Sequence, residues 1–269
     1  MNSFLEEHLT HFLENGKKGF IPYLMAGFPY KKWMIPLILA AASAGAAAIE
    51  CGVPFSDPIA DGPVLQDANE MALHTQIGVD RILRIVRIAS KKISVPILLM
   101  GYANPFWKMG WRELAKQASR SGVSGLIVAD LPVEESADIV KILRDYGLSL
   151  VLFCSPTTEK DRMKKISEMS SGFVYFISVK GVTGVRETVS GSLGQQLKTA
   201  KTIINKPIFA GFGLSSLEQL RDTLKYADGG ILGSKIASFL NENKKSADLD
   251  RLLFDFLTPW IQTADSFQS

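Results

Sequence analysis

The segment GLIVADLPVEESADIVKILRDYGLSLVLF, residues 125–153, contains the repeating unit that decides the fold. Its two ends, GLIVA (125–129) and LSLVLF (148–153), are short apolar runs of the kind found in buried strands. Residues 133–147 between them have helical periodicity, with Glu134 and Glu135 in the predicted first turn and Gly147 at the predicted end. The segment therefore predicts a strand, a helix and a second strand.

The same unit recurs along the whole chain. The predicted strands are 20–25, 47–51, 96–101, 125–129, 148–153, 173–177, 207–211 and 229–232. Eight such units in 269 residues predict an α/β protein with the (β/α)8 TIM-barrel fold, as a single domain over residues 1–269. A doubly wound sheet is the alternative, but AGFPY follows the first strand, so the G-x-G-x-x-G fingerprint of dinucleotide-binding sheets is missing there.

Composition restricts the classes of function. The 30 Lys and Arg residues nearly balance the 27 Asp and Glu residues and are scattered through predicted helices, which argues against a nucleic-acid partner. No apolar run approaches the ~20 residues that span a bilayer, so we expect no membrane partner. The start resembles neither a signal nor a transit peptide, and its amphipathic spacing predicts an extra N-terminal helix. Two isolated cysteines, Cys51 and Cys154, indicate buried thiols and a cytoplasmic location.

If the barrel is correct, the chemistry lies at the carboxyl ends of the strands. Two glycine-containing turns follow the last two predicted strands, GFGLSS (211–216) and GSK (233–235). Such turns before a helix present backbone N–H groups to an anion, although a single one is more often only a tight turn. The phosphate-binding candidates are Gly211, Gly213, Gly233 and Ser234.

Two carboxylates are candidates for proton transfer. Glu50 ends the second predicted strand, and Asp61 lies in the loop that follows. Carboxylates in different environments can serve as acid and base, although Glu50 could instead form a salt bridge at the barrel mouth. Asp57, which precedes Pro58, is better explained by an Asx turn than by catalysis.

Other residues of the same rim suggest an apolar slot and a long loop. A planar ring would fit between Tyr23, Met100, Tyr102, Tyr175 and Phe212, although each alone is more often a core residue. The loop 178–192 is either a lid, in which Thr183 reaches toward a carboxylate, or a surface insertion. No metal site is expected, because the three histidines have no Cys or His cluster with zinc spacing.

Five motifs in matching order resemble the α subunit of tryptophan synthase. They are ECGVPFSDPIADGP (50–63), YANP (102–105), ADLPVEE (129–135), GVTG (181–184) and GFGLS (211–215), and the likeness runs from about Phe20 to Ile236. The first motif is the specific one. The resemblance implies a lyase that cleaves indole-3-glycerol phosphate to indole and glyceraldehyde 3-phosphate, in a barrel without a cofactor of its own.

The resemblance also implies residue roles. Glu50 would protonate the indole at C3 and later accept the glycerol hydroxyl proton, while Asp61 would accept a hydrogen bond from the indole N–H. Tyr175 and Thr183 would border the substrate. Its phosphate would lie against Gly184, Gly213, Gly233 and Ser234.

The implied partner is a β subunit that carries pyridoxal phosphate, in an α2β2 assembly. Four residues would contact it: Pro54, Asp57, Asn104 and Pro132. The chain departs from the family pattern at Met25 and Val179, where threonine and arginine are usual, and at Lys235, where a small residue is usual. An alternative is therefore a catalytically weakened subunit that mainly activates the β subunit. An unrelated sugar-phosphate isomerase barrel is a third possibility.

Overall fold

The computed structural model describes residues 3–177, 190–211 and 213–267. Eight parallel strands close into a barrel in the order of the sequence, each paired with the next and β8 with β1. They are β1 (Gly19–Met25), β2 (Ile49–Gly52), β3 (Ile97–Gly101), β4 (Val123–Val128), β5 (Ser149–Cys154), β6 (Val174–Ile177), β7 (Ile208–Gly211) and β8 (Gly229–Leu232). The predicted TIM barrel is confirmed, and the doubly wound alternative is wrong.

The predicted strands differ from the observed ones by at most two residues at either end. The starts of β2 and β4 each differ by two residues, and the difference at β4 comes from its pairing with β3, because Ile97 pairs with Val123 whereas Leu98 pairs with Gly125. This irregularity adds Val123 and Ser124 to a strand that was predicted to begin at Gly125.

The helices cover the outside of the barrel. They are α1 (Phe4–Leu13), α2 (Met34–Ser43), α3 (Pro63–His74), α4 (Val79–Ala89), α5 (Ala103–Met109), α6 (Trp111–Arg120), α7 (Ala137–Asp145), α8 (Lys160–Met169), α9 (Ser190–Lys201), α10 (Leu217–Leu224), α11 (Ser234–Glu242) and α12 (Leu249–Asp265). One prediction needs correction, since Glu134 and Glu135 lie in a separate 3-10 turn, Val133–Glu135, before α7. The end of that helix agrees with the prediction, because Gly147 adopts a φ of 71° that favours glycine.

The N-terminal helix α1 closes the amino end of the barrel. Ser3 caps it through a capping box with Glu6, and its hydroxyl lies 2.5 Å from that of Ser149 at the start of β5. Leu5 and Leu9 are fully buried beneath the strands. This arrangement leaves the carboxyl ends of the strands as the accessible side of the barrel.

Aromatic rings fill the barrel interior near the amino ends of the strands. The rings of Phe173 and Phe209 lie 4.9 Å apart, and both are fully buried. Gly19 and Gly229 flank Phe209, and a Cβ at either position would clash with its ring. Among the described residues, this packed layer leaves space toward the carboxyl ends of the strands.

Two further predictions concern the chain as a whole. Both cysteines are buried free thiols, as predicted. That residues 1–269 form one domain stays a prediction. Within the described ranges, no helix is long and apolar enough to cross a bilayer.

Candidate active site

A cavity of about 270 Å³ lies at the carboxyl ends of the strands. Eight of the residues predicted for the site line it: Tyr23, Glu50, Asp61, Met100, Tyr175, Gly213, Gly233 and Ser234. Six further lining residues were not among the predicted site residues: Leu65, Leu214, Ser215, Ile231, Lys235 and Ser238. The position agrees with the general rule for (β/α)8 barrels.

Strand register places two lining side chains side by side. Tyr23 on β1 pairs with Glu50 on β2. Because side chains alternate along a strand, Glu50 faces the cavity whereas its neighbour Cys51 is buried away from it. Burial raises the pKa of the Cys51 thiol to about 12, so it is unreactive.

Glu50 is a fully buried acid. Neither of its carboxyl oxygens has a hydrogen-bond partner among residues 3–177, 190–211 and 213–267. Burial alone raises the pKa of Glu50 from 4.5 to about 8. The side chain is therefore protonated at neutral pH and can act as an acid, and it does not form the salt bridge considered from the sequence with any described residue.

Asp61 lies in the β2–α3 loop, residues 53–62, and is only partly exposed. Burial raises its pKa from 3.8 to about 6. At neutral pH, Asp61 is thus ionised while Glu50 keeps its proton. One cavity holds an acid and an anionic hydrogen-bond acceptor, a combination suited to moving protons on one substrate.

Two tyrosines form the apolar wall. Burial, followed by the charges of Asp61 and Glu50, raises the pKa of Tyr23 well above its ordinary value. Burial and then the charge of Glu50 do the same for Tyr175. The hydroxyl of Tyr23 donates a hydrogen bond to the sulfur of Met25 over 3.8 Å. Met25 is the residue that stands where the family pattern has threonine. Both rings are neutral and suited to packing against an aromatic group.

A further part of the lining lies just before α10 and at the start of α11. Gly213 has a φ of 95°, and nothing lies within 4 Å of where its Cβ would be. Gly233 caps α11, whose first residues Ser234 and Lys235 also line the cavity. The N-terminus of a helix favours a negative charge, and Lys235 adds a positive one, so this wall suits a phosphate group.

Two of the predicted site residues that the structure describes, Tyr102 and Gly211, do not line this cavity. Tyr102 is buried, and its hydroxyl accepts a hydrogen bond from the N–H of Ala60 over 3.0 Å. Gly211 is buried at the end of β7, where a Cβ would clash with the Tyr175 side chain. The predictions for Thr183, Gly184 and Phe212 lie outside the described residues.

The four predicted partner contacts lie in three different segments. Asp57 is exposed in the β2–α3 loop and Asn104 is exposed at the start of α5. Pro132, before the 3-10 turn, is partly exposed, whereas Pro54 is buried. These assignments stay predictions.

The signal for some of the missed residues was present in the sequence. Leu214 and Ser215 belong to the quoted GFGLSS segment, and Lys235 belongs to GSK. Leu65 and Ser238 come from helices, and their helical spacing alone does not separate cavity-lining from core positions. No group of three or more His, Cys, Asp or Glu side chains that could hold a metal ion occurs within the described ranges.

Fold and site together define a class: a (β/α)8 barrel whose strand ends enclose a cavity lined by two carboxyl groups and two glycine turns. A family model described as "Tryptophan synthase alpha chain" matches residues 9–254. The chain belongs to this family and is a lyase of tryptophan synthesis.

Individual relatives agree with the family model over nearly their whole length. The tryptophan synthase alpha chain of Carboxydothermus hydrogenoformans is 37% identical over 252 residues, covering 93% of this chain and 94% of the relative. The chain from Ralstonia nicotianae is 38% identical over 266 residues, covering 98% and 100%.

Solved structures share the fold. The α subunit from Legionella pneumophila superposes with a TM-score of 0.91 at 32% identity, covering 99% of this chain and 100% of that one. A chain of the tryptophan synthase α2β2 complex from Pyrococcus furiosus gives a TM-score of 0.84 at 35% identity, covering 91% and 99%.

Proposed function

We propose that this chain cleaves indole-3-glycerol phosphate to indole and glyceraldehyde 3-phosphate and passes the indole to a β subunit. The observation that carries the proposal is the pairing of a protonated Glu50 and an ionised Asp61 in one cavity. Membership in the tryptophan synthase alpha chain family supports the same reaction. In enzyme class, this is a carbon–carbon lyase that performs a retro-aldol cleavage.

Glu50 begins the reaction as the acid. It gives its proton to C3 of the indole, which weakens the bond from C3 to the glycerol carbon that bears the hydroxyl. The bond then breaks, its electron pair returns to the ring, and the hydroxyl carbon becomes the aldehyde of glyceraldehyde 3-phosphate. The hydroxyl proton goes back to Glu50, so the side chain ends as it began, and the raised pKa suits this exchange near neutral pH.

Asp61 acts on the other side of the ring. Protonation at C3 leaves positive charge on the indole nitrogen, and an ionised carboxylate that accepts the N–H hydrogen bond stabilises that charge. The pKa of about 6 keeps Asp61 ionised at neutral pH. It therefore stabilises the intermediate while Glu50 transfers the proton.

The remaining walls bind the substrate. The neutral rings of Tyr23 and Tyr175 pack against the indole, and the amides at Gly213 and Gly233 hold the phosphate. Every proton in this scheme is carried by a side chain of this chain, so the reaction as proposed needs no cofactor here. Pyridoxal phosphate belongs to the proposed partner.

The proposed partner surface surrounds the β2–α3 loop and α5. Beside the predicted contacts Asp57 and Asn104, Ile59 is 83% exposed and Trp107 is 69% exposed. Exposed large apolar groups of this kind are typical of protein interfaces. The similarity to a chain of the Pyrococcus furiosus α2β2 complex supports a tryptophan synthase β subunit as the partner. We place both in the cytoplasm, since Cys51 and Cys154 are free thiols.

The alternative of a mainly activating subunit is not favoured. Both carboxylates line the cavity, and the Met25 departure leaves Tyr23 hydrogen-bonded to the methionine sulfur. Val179 lies outside the described residues.

An indole-release assay tests the proposal. The purified chain is supplied with indole-3-glycerol phosphate, alone and with a β subunit, and both products are quantified. From the chain alone, equal amounts of indole and glyceraldehyde 3-phosphate are expected; with a working β subunit, glyceraldehyde 3-phosphate should still form while the indole is used. Absence of glyceraldehyde 3-phosphate in both samples, with β-subunit turnover still raised, would instead establish the activating role.

A further inference from the structure

The β2–α3 loop, residues 53–62, carries Asp61, and a buried side chain outside the cavity holds its start. Asn69 on α3 is only 3% exposed. Its amide oxygen accepts from the N–H of Phe55 over 3.0 Å, and its amide nitrogen donates to the carbonyl of the same residue. Asn69 thus pairs with Phe55 as a neighbouring strand would, and both backbone groups of Phe55 are satisfied.

Tyr102 holds the other end of the loop. Its hydroxyl accepts from the N–H of Ala60, the residue directly before Asp61. Its ring lies 5.3 Å from the ring of Phe55. Tyr102 therefore joins the residue that Asn69 holds to the residue that precedes Asp61.

Most of the loop lacks core packing that could replace these contacts. Ser56, Asp57, Ile59 and Ala60 are exposed. The backbone of Asp61 is held locally, by its N–H to Pro58 over 3.0 Å and by its carbonyl, which accepts from the exposed Gln66 over 2.9 Å. These bonds shape the turn at Asp61, but they do not fix the loop to the barrel.

We propose that Asn69 is a positioning residue for Asp61, and that Tyr102 is the second point of the same clamp. Asn69 fixes the loop at Phe55, and Tyr102 packs against Phe55 and accepts the hydrogen bond of Ala60. These contacts hold Asp61, the next residue, at the cavity wall. This inference rests on the proposed function, in which Asp61 stabilises charge on the substrate. A buried amide that bonds only to the backbone of a site loop is otherwise unexplained by the reaction.

The test is Asn69→Ala, measured with indole-3-glycerol phosphate. We expect kcat to fall about tenfold to hundredfold, because a small displacement of a charge-stabilising group has effects of this size. KM should change less, since the phosphate wall lies on other elements. Water would reach the released Asp61, so the contribution of Asp61 to the acidic limb of the kcat/KM profile should move from about 6 toward 3.8, while the titration of the substrate phosphate stays in place.

Ser167→Ala is the matched control. The hydroxyl of buried Ser167 donates to the side chain of Asn205 over 2.6 Å and accepts from its N–H over 3.2 Å, so this variant also removes two buried bonds. Ser167 lies in the last turn of α8 and Asn205 lies between α9 and β7, both away from the carboxyl ends of the strands. The control should lower the melting temperature while kcat and the acidic limb stay unchanged.

Amide hydrogen exchange measures whether the loop is released, independently of enzyme activity. Exchange at the Phe55 and Ala60 amides should accelerate in Asn69→Ala and not in Ser167→Ala. If Asn69→Ala does not fold, Tyr102→Phe removes the hydroxyl that interacts with the backbone of Ala60 and of Asp61 and keeps the ring. It should show the same direction of change.

Two outcomes are distinguishable. If the wild-type chain releases no indole, the proposed function fails, whatever the exchange rates are. If the wild type is active and exchange accelerates in the variant, but kcat and the acidic limb match the control, the positioning role is wrong.

Discussion

Removing the ionisable group of Glu50 should stabilise the protein at alkaline pH. In the folded chain this carboxyl keeps its proton up to about pH 8, whereas an unfolded chain releases it near 4.5. Between these values the unfolded state binds fewer protons, so the free energy of unfolding falls as pH rises. Glu50→Gln keeps the shape and the neutral charge, and it abolishes this titration.

The magnitude follows from the pKa difference. One pKa unit corresponds to about 1.4 kcal/mol. Ionisation of Glu50 in the unfolded chain therefore lowers the free energy of unfolding of the wild type by less than about 1 kcal/mol at pH 5 and by about 4 kcal/mol at pH 8. Glu50→Gln should therefore match the wild type near pH 4.5 and exceed it by about 4 kcal/mol at pH 8. This is a large share of a typical domain stability of roughly 5–15 kcal/mol.

Urea unfolding at several pH values, followed by circular dichroism, measures this difference. Glu242→Gln is the control, because Glu242 is an exposed carboxylate at the end of α11. Its curve should run parallel to the wild type. If the Glu50→Gln curve is parallel as well, Glu50 is not held protonated by burial, and the account of its acidity is refuted.

Two further predictions concern activity. The pH profile of kcat/KM for indole release should be bell-shaped, falling below about pH 6 as Asp61 gains a proton and above about pH 8 as Glu50 loses one. In Asp61→Asn, only the titration of the substrate phosphate should remain on the acidic side. An acidic limb unchanged from the wild type would contradict the role of Asp61. Gly213→Val should weaken the binding of inorganic phosphate, measured by calorimetry, because the new side chain enters the cavity from a backbone with a φ of 95°; unchanged affinity would mean that this turn does not bind the anion.

The fold could be predicted because each strand is a short apolar run between turn signals. Buried parallel strands are apolar on both faces, so runs such as 125–129 and 148–153 stand out from the amphipathic helices around them. Glu50 and the glycine turns were found because a barrel places the carboxyl ends of all its strands at one rim. The irregular pairing at Ile97, which shifts the start of β4, depends on a neighbouring strand and leaves no local signal.

Other features of the site depend on contacts between distant residues. The sequence indicated two carboxylates, but which one keeps its proton depends on burial: Glu50 is fully buried, whereas Asp61 is partly exposed. Tyr102 is predicted from the sequence to contact substrate, but in the structure its hydroxyl accepts a hydrogen bond from the backbone N–H of Ala60, 42 residues away in the chain. Asn69 lies in the middle of an ordinary helical pattern, so nothing near it in the sequence indicates its bonds to Phe55.

The central claim is that Glu50 is the acid and base of a cavity that binds and cleaves indole-3-glycerol phosphate. Single-turnover cleavage by Glu50→Gln, with substrate affinity measured on the same sample, tests it most directly. We expect no detectable indole while affinity stays within about tenfold of the wild type, because the substitution removes proton transfer and conserves shape. Cleavage at a rate close to that of the wild type, or a loss of binding equal to the loss of rate, would contradict the claim.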